Sequence, residues 1–527
     1  MSARDTDDHR LDHVVVLMFE NRSFDNLLGY LYTPAEVPEF EGVGGRSWTN
    51  PLPEVSGLAG DAPVAVHPAT SMATPYPDPG EEYLHINTQL FGVVAPESNR
   101  FADVRDMKPP FNAPSGGPAA APPMNGFVGD YVGAFREQMG RLPTVKEYSQ
   151  IMASFTPEQV PVLSGLARGF AVFDRWFCEV PSQTYPNRSF FHAGTSSGFV
   201  LNGPPGKFAS RNDAPTIFEA LERVGKTWKV YVDPAQILPA TALIHARRLA
   251  PKFATNFRTH FDFYDDAARG LLPNYSFLEP NMFHPHTDMH PHSGARLAED
   301  LRLPAPDTLR GGEQLLAQVY DSVRTSSTEP GSNWRNTLLL VTFDEHGGTF
   351  DHVPPPAAVA PDDSVREQGF PFDRLGVRIP TVAVSAWVDE RSLISSTFQS
   401  TSVLRTLREW WGVSDPLTRR DASAPSLLPV LSRSAPRDPE LWVRVAPRKP
   451  GILEKVEDAA LREVEALTAP MGRLERDTLG EALVHEARTQ GAPPPTEIDR
   501  ISHPNAHEHF RRIGSEYFPG VISGRQH

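Results

Sequence analysis

The stretch Leu338-Leu339-Leu340-Val341-Thr342-Phe343 shows no polar alternation and runs straight into Asp344-Glu345-His346-Gly347-Gly348. A strand with one wet face alternates. A run like this is a strand buried on both faces, as in a parallel sheet covered by helices. Open α/β sheets place their chemistry just beyond the carboxyl ends of such strands, where Asp344, Glu345 and His346 fall. His352, in Phe350-Asp351-His352-Val353-Pro354, is close enough to fold back over the same rim. Adjacent carboxylates at a strand end repel unless something positive stands between them, and a divalent cation is the usual solution. The bland alternative is a strand followed by an ordinary acidic turn.

His13-Val-Val-Val-Leu-Met-Phe19 repeats this layout and ends in Glu20-Asn21-Arg22-Ser23. Two acidic strand ends so far apart in sequence meet only if their strands lie near one another. That coincidence is the second argument for a metal site. An all-oxygen donor set suits a hard cation such as Ca²⁺, Mg²⁺ or Mn²⁺. Cys178 is the only cysteine among 527 residues, which excludes an internal disulfide and zinc sites built on cysteine pairs.

A net charge of −15 argues against a nucleic-acid backbone as the main partner. An anionic substrate would need a local cation or a few placed basic groups to invert that field. No apolar run approaches the length of a membrane span. Residues 1–12 carry no visible leader, so the expectation is a cytoplasmic protein, or a secreted one whose leader has been removed.

Strands alternate with helices along most of the chain, which predicts one doubly wound, mostly parallel α/β domain over residues 1–440. Helices are expected over Thr156–Gly169, from about Pro186 to Gly194, and over Pro215–Val224, Gly311–Val323 and Ser400–Trp411. Further strands are expected over Phe170–Phe177, Thr227–Val232, Asn274–Leu278 and Ile379–Ser385. Pro34 to Asn125, rich in Pro and Gly, reads as long loops over the active face, with His85 among amide side chains. After the Asn274 strand come His284, His286, Asp288, His290 and His292, five candidate ligands or acid–base groups within nine residues. Beyond 440 the texture changes, and 441–527 reads as a helical C-terminal extension, with helical spacing over Gly451–Leu467.

Between the expected strand at 170–177 and the next helix lies Pro181-Ser182-Gln183-Thr184-Tyr185-Pro186-Asn187-Arg188. Hydroxyls at such a junction sit beside free backbone N–H groups, a natural place for an anion, although helix capping explains any one of them equally well.

Glu20-Asn21-Arg22-Ser23-Phe24-Asp25-Asn26, Pro186-Asn187-Arg188, and Asp344 to Gly348 with Asp351-His352-Val353-Pro354 together resemble three ordered signatures of one family. It is the bacterial and plant phosphoesterase family that includes phosphatidylcholine-type phospholipases C and a bacterial acid phosphatase, on an alkaline phosphatase-like fold. Gly376-Val377-Arg378-Ile379-Pro380 through Trp387 is a weaker fourth. The resemblance spans roughly residues 13–415. Thr349, His292 and Ala386 stand where familiar members carry other residues.

The resemblance implies one divalent metal held by Glu20, Asn21, Thr184, Asp344 and Glu345, with the Thr184 hydroxyl also the nucleophile. Metal coordination is one of the few ways to activate such a hydroxyl at neutral pH. It implies a phosphothreonine intermediate and proton transfer by histidines, here His85, His290 and His352. Arg188 would position phosphate, with His292 and His346 as further substrate contacts. The implied substrate is a phospholipid head group or a small phosphomonoester. The alternative is a catalytically silent member that binds a metal or a phosphorylated ligand. Trp176, Tyr185 and Phe191 flank the hydroxyl loop and are candidates for an aromatic cage around a cationic head group, or for plain core.

Overall fold

The computed structural model describes residues 11–53, 58, 62–114, 121–204, 206–236, 238–282, 286–291, 308–449, 473–492 and 512–518. Eight strands form one sheet: β1 (His13–Phe19), β2 (Ala171–Phe173), β3 (Trp228–Val232), β4 (Phe257–Thr259), β5 (Tyr275–Glu279), β6 (Thr337–Phe343), β7 (Thr381–Val384) and β8 (Ser392–Ile394). Their order across the sheet is β8-β2-β7-β6-β1-β5-β3-β4. Every pairing is parallel except the two made by β7. The expected doubly wound, mostly parallel sheet is therefore present, with one reversed strand inside it.

The two apolar runs that end in acids are immediate neighbours at the centre. β1 pairs with β6 from His13↔Thr337 to Phe19↔Phe343. Every residue of β6 is buried, as the missing alternation requires. The register puts Glu20 beside Asp344, and the Asp344 N–H donates to the Phe19 carbonyl at 3.1 Å.

Helices cover both faces. Those that bear on the site are α1 (Phe24–Leu28), α2 (Tyr83–Phe91), α3 (Phe127–Met139), α4 (Pro161–Gly169), α5 (Thr184–Ala193), α6 (Lys207–Arg211), α7 (Ile217–Arg223), α8 (Ala240–Ile244), α9 (Thr308–Thr325), α10 (Thr401–Trp411) and α11 (Arg473–Thr489). Three differences from the sequence reading have clear causes. α4 starts at Pro161 rather than near Pro157, because proline pushes Val160 out of the helical region and suits the first helical position. The 170–177 run is two strands separated at Asp174-Arg175, β2 and a short piece at Trp176–Phe177 that pairs with Phe398–Gln399 in a separate two-stranded sheet. The 34–125 excursion carries α2 and two short strand pairings as well as loops. The expected helix at Gly451–Leu467 lies outside the described residues.

Candidate active site

Glu20 and Asp344 leave neighbouring strands side by side, and both are fully buried. Between them lies Arg188, whose guanidinium stands 3.0 Å from Glu20 and 3.2 Å from Asp344. Burial, and then the Asp344 charge, push the Glu20 carboxyl well above its ordinary range against the pull of Arg188. Burial also raises Asp344, held back by Arg188 and by the N–H groups of Asn21 and Glu345. Glu345 is raised well above its ordinary range by burial, then by Glu81 and Asp344. Burial pulls the Arg188 guanidinium down, and Glu20 and Asp344 outweigh it, so the group is raised above its ordinary value.

Local structure holds these tips in place. Asn21 turns the corner after β1 with φ +58°, a left-handed conformation that asparagine tolerates better than most residues. Its N–H donates to Asp344 Oδ1 at 3.2 Å, and the Glu345 N–H donates to the same oxygen at 2.7 Å. Gly347, also at positive φ, sits so close to the Asn21 backbone that a Cβ would collide with it. Gly347 thus lets the two strand-end turns pack together, while Gly348 abuts Gly80 and Pro79 instead. Thr349 ties them further, accepting from the Ser23 N–H at 2.9 Å and donating to the His346 carbonyl at 2.7 Å.

The Pro186-Asn187-Arg188 signature divides its labour. Asn187 clips the preceding loop, accepting from the Glu179 and Val180 N–H groups and donating to the carbonyls of Val180, Ser182 and Gln183. Arg188 reaches the acids. Thr184 lies four residues before Arg188 in the first turn of α5, so the two share a face of the helix. The Thr184 hydroxyl is buried without a hydrogen-bond partner among the described residues, as are Glu20 Oε2, Asn21 Oδ1 and Glu345 Oε1. Ser182, the other hydroxyl of the loop, is engaged with the Val200 carbonyl.

Sequence reasoning missed Glu81. Its carboxylate meets the Asn21 amide and takes a 3.3 Å hydrogen bond from Gln183, the residue before Thr184. It stands 3.7 Å from His290. Glu81 lies in the Pro- and Gly-rich stretch that reads as loops, just ahead of α2, and no local pattern in the sequence marks it. His290 contacts the Asn21 amide at 2.9 Å, and its cationic form is strongly favoured by Asp78, Glu81 and Asp288 against the cost of burial.

The other predicted histidines fall elsewhere. His85 pairs with Asp130 at 2.9 Å, with Glu82 and Glu137 nearby. These carboxylates outweigh burial and lift the imidazole to about 9. His346 is buried and pushed down to about 3, bound to Gln89 at 2.8 Å, while Gln89 in turn donates to Asp130. His352 bonds Asp25 at 2.6 Å under the Trp48 ring, and Arg378 bridges Asp25 and Asp351 at 2.9 Å each. His292 lies outside the described residues. Trp176 and Phe191 are core, and the Tyr185 ring packs in an apolar cluster with Phe208 and Ile244.

Two described groups of carboxylates and histidine are tight enough for a metal, Asp25-Asp351-His352 and Asp78-Glu81-His290. The first is already neutralised by Arg378. Around the strand ends, Glu20, Asp344, Glu345 and Glu81 outnumber the cations that face them. Glu20 Oε2, Asn21 Oδ1, Thr184 Oγ1 and Glu345 Oε1 there have no hydrogen-bond donor among the described residues. Buried oxygens without donors are costly unless something binds them. The residues fit a hard divalent cation.

The described strand ends thus gather a carboxylate rim and a buried hydroxyl with no hydrogen-bond partner among the described residues. In sequence comparison, a profile of the phosphoesterase family matches residues 11–414. The chain belongs to the phosphoesterase family and is a phosphoric ester hydrolase. Non-specific phospholipase C6 of Arabidopsis thaliana is 31% identical over 473 residues, 86% of this chain and 78% of that protein. Non-specific phospholipase C3 of the same plant is 30% identical, covering 80% and 74%. Phospholipase C B of Mycobacterium tuberculosis is 26% identical, covering 81% and 79%. Among solved structures, an alkaline phosphatase superfamily protein from Vibrio parahaemolyticus overlaps 59% of this chain and 82% of its own at 10% identity, TM-score 0.28.

Proposed function

We propose that the chain is a metal-dependent phosphoesterase of the phospholipase C type, with Thr184 as nucleophile. The observation that carries this reading is the convergence of Glu20 with Asp344-Glu345, leaving Glu20, Asn21, Thr184 and Glu345 with oxygens that no donor among the described residues satisfies. Glu20, Asn21, Asp344, Glu345 and Thr184 would hold the cation, whose contribution when bound is to lower the pKa of the hydroxyl and to offset charge on the phosphoryl oxygens. Thr184 Oγ1 attacks phosphorus in line, the ester P–O bond breaks, and the alcohol leaves with a proton. Water then releases the phosphoryl group from Thr184. Arg188 holds Glu20 and Asp344 apart and in register. His290 and Glu81, beside Asn21 and Gln183, would supply the proton for the leaving group. His85 and His352 are held in carboxylate pairs of their own. The phospholipases C among the relatives support a phospholipid with diacylglycerol as the leaving alcohol.

The test is turnover of p-nitrophenyl phosphate, p-nitrophenyl phosphorylcholine and phosphatidylcholine, each with and without a chelator. Chelation and Thr184→Ala should each abolish turnover while the circular dichroism spectrum stays unchanged. Near-wild-type rates in Thr184→Ala would remove the nucleophile. Metal binding without turnover of any ester would make the chain a silent binder.

A further inference from the structure

α11 belongs to the segment read from sequence as an extension, yet its described residues build into the core. Leu479, Ala482 and Leu483 are buried in the main apolar cluster. Val484 packs so closely on Gly206 that a Cβ there would collide. The Glu481 carboxylate, fully buried, accepts from the N–H groups of Phe208 at 3.1 Å and Ala209 at 2.6 Å, capping α6. One turn earlier, the Thr478 hydroxyl bonds the Tyr185 hydroxyl at 2.6 Å.

Tyr185 is the residue after Thr184. Its N–H is taken by Asn202 Oδ1 at 2.8 Å, and its ring stands perpendicular to Phe208 with centroids 5.7 Å apart. Gln183, on the other side, is tied to Glu81 and to the Asn202 N–H. Thr184 therefore sits between two anchored neighbours while its own hydroxyl stays unengaged. Of the two anchors, Tyr185 is held by α11 twice, directly through Thr478 and indirectly through Glu481, α6 and Phe208.

We propose that α11 is part of the catalytic apparatus: Thr478 is a positioning residue that fixes the first turn of α5, and with it Thr184, through the Tyr185 hydroxyl. A reactive oxygen must be held within tenths of an ångström of its attack position, and a shift of about 1 Å can cost on the order of a hundredfold in rate. Thr478→Val keeps the volume and removes the hydroxyl; Tyr185→Phe removes the other partner. The proposal rests on Thr184 as nucleophile, so the experiment reads that separately.

In the full-length, metal-loaded protein, Thr478→Val should lower kcat by roughly tenfold or more with KM within about twofold, and Thr478→Ser should restore it. Tyr185→Phe should match that loss, and the double variant should fall no further, since both changes break one contact. Rapid-quench measurement with a p-nitrophenyl ester gives a burst amplitude that counts folded sites and a burst rate that reports chemistry per folded site. The proposal requires the rate to fall at constant amplitude. A wild-type burst rate in Thr478→Val, or losses that multiply in the double variant, would overturn it. If the wild type forms no covalent phosphoenzyme, the nucleophile reading falls instead, and the kcat comparison still decides whether α11 positions the site.

Discussion

His245 sits behind α5, fully buried, and neither ring nitrogen has a hydrogen-bond partner among the described residues. Its neighbour His192, on α5 itself, is in the same condition with ring centroids 5.9 Å away. Burial pushes His245 down to about 3, and burial with His245 and Arg188 nearby pushes His192 well below its ordinary value. Both are neutral in the folded protein, whereas in the unfolded chain each takes up a proton below about pH 6.5. The unfolded state thus binds more protons between pH 6.5 and about 3, and stability drops as pH falls through that window. At pH 5 the chain is about 1.5 pH units below the free imidazole value. At about 1.36 kcal/mol per unit, His245 alone costs about 2 kcal/mol there and almost nothing at pH 7.5. His245→Leu removes the proton-binding group and breaks no hydrogen bond. Urea unfolding followed by circular dichroism, with chelator present throughout, should show the variant no less stable at pH 7.5. At pH 5 it should be about 2 kcal/mol more stable relative to wild type. Parallel stability curves for the two proteins between pH 7.5 and 5 would refute the reasoning, because burial and Arg188 still hold His192 down in the variant and the titrations away from this pair are common to both.

Two further outcomes follow from the buried ion networks. Arg188→Met leaves Glu20 and Asp344 facing each other uncompensated and should cost about 3–5 kcal/mol of stability without metal, a loss that saturating divalent cation partly restores in thermal melts. Arg378→Met leaves Asp351 without its cation and Asp25 with His352 alone, and should cost a similar about 3–5 kcal/mol, read as a fall in the urea midpoint with chelator present.

What could be read from the sequence was what local pattern carries. Uninterrupted apolar runs gave β1 and β6 with their ends, and acids at both ends implied that the strands were neighbours, which the Phe19↔Phe343 register bears out. Strand direction is not encoded in such runs, so nothing marked β7 as the reversed one. Glu81 was hidden because the 34–125 stretch reads as loops and nothing local ties one of its acids to the strand ends, while His85 pairs with Asp130 and its acidic neighbours instead. The Tyr185–Thr478 contact joins residues 293 positions apart. No periodicity or spacing points to it, since only tertiary packing brings the C-terminal helix to the hydroxyl loop.

Arg188 is a counter-ion carried by the chain itself. An ion drawn from solution arrives only when the surroundings supply it, but this guanidinium is there as soon as α5 docks on the sheet. The acidic tips of β1 and β6 can therefore come together during folding with part of their repulsion already answered, unlike small metallodomains that stay unfolded until the metal binds. Assembly would then not have to wait for any metal, and protein prepared in chelator should keep its shape.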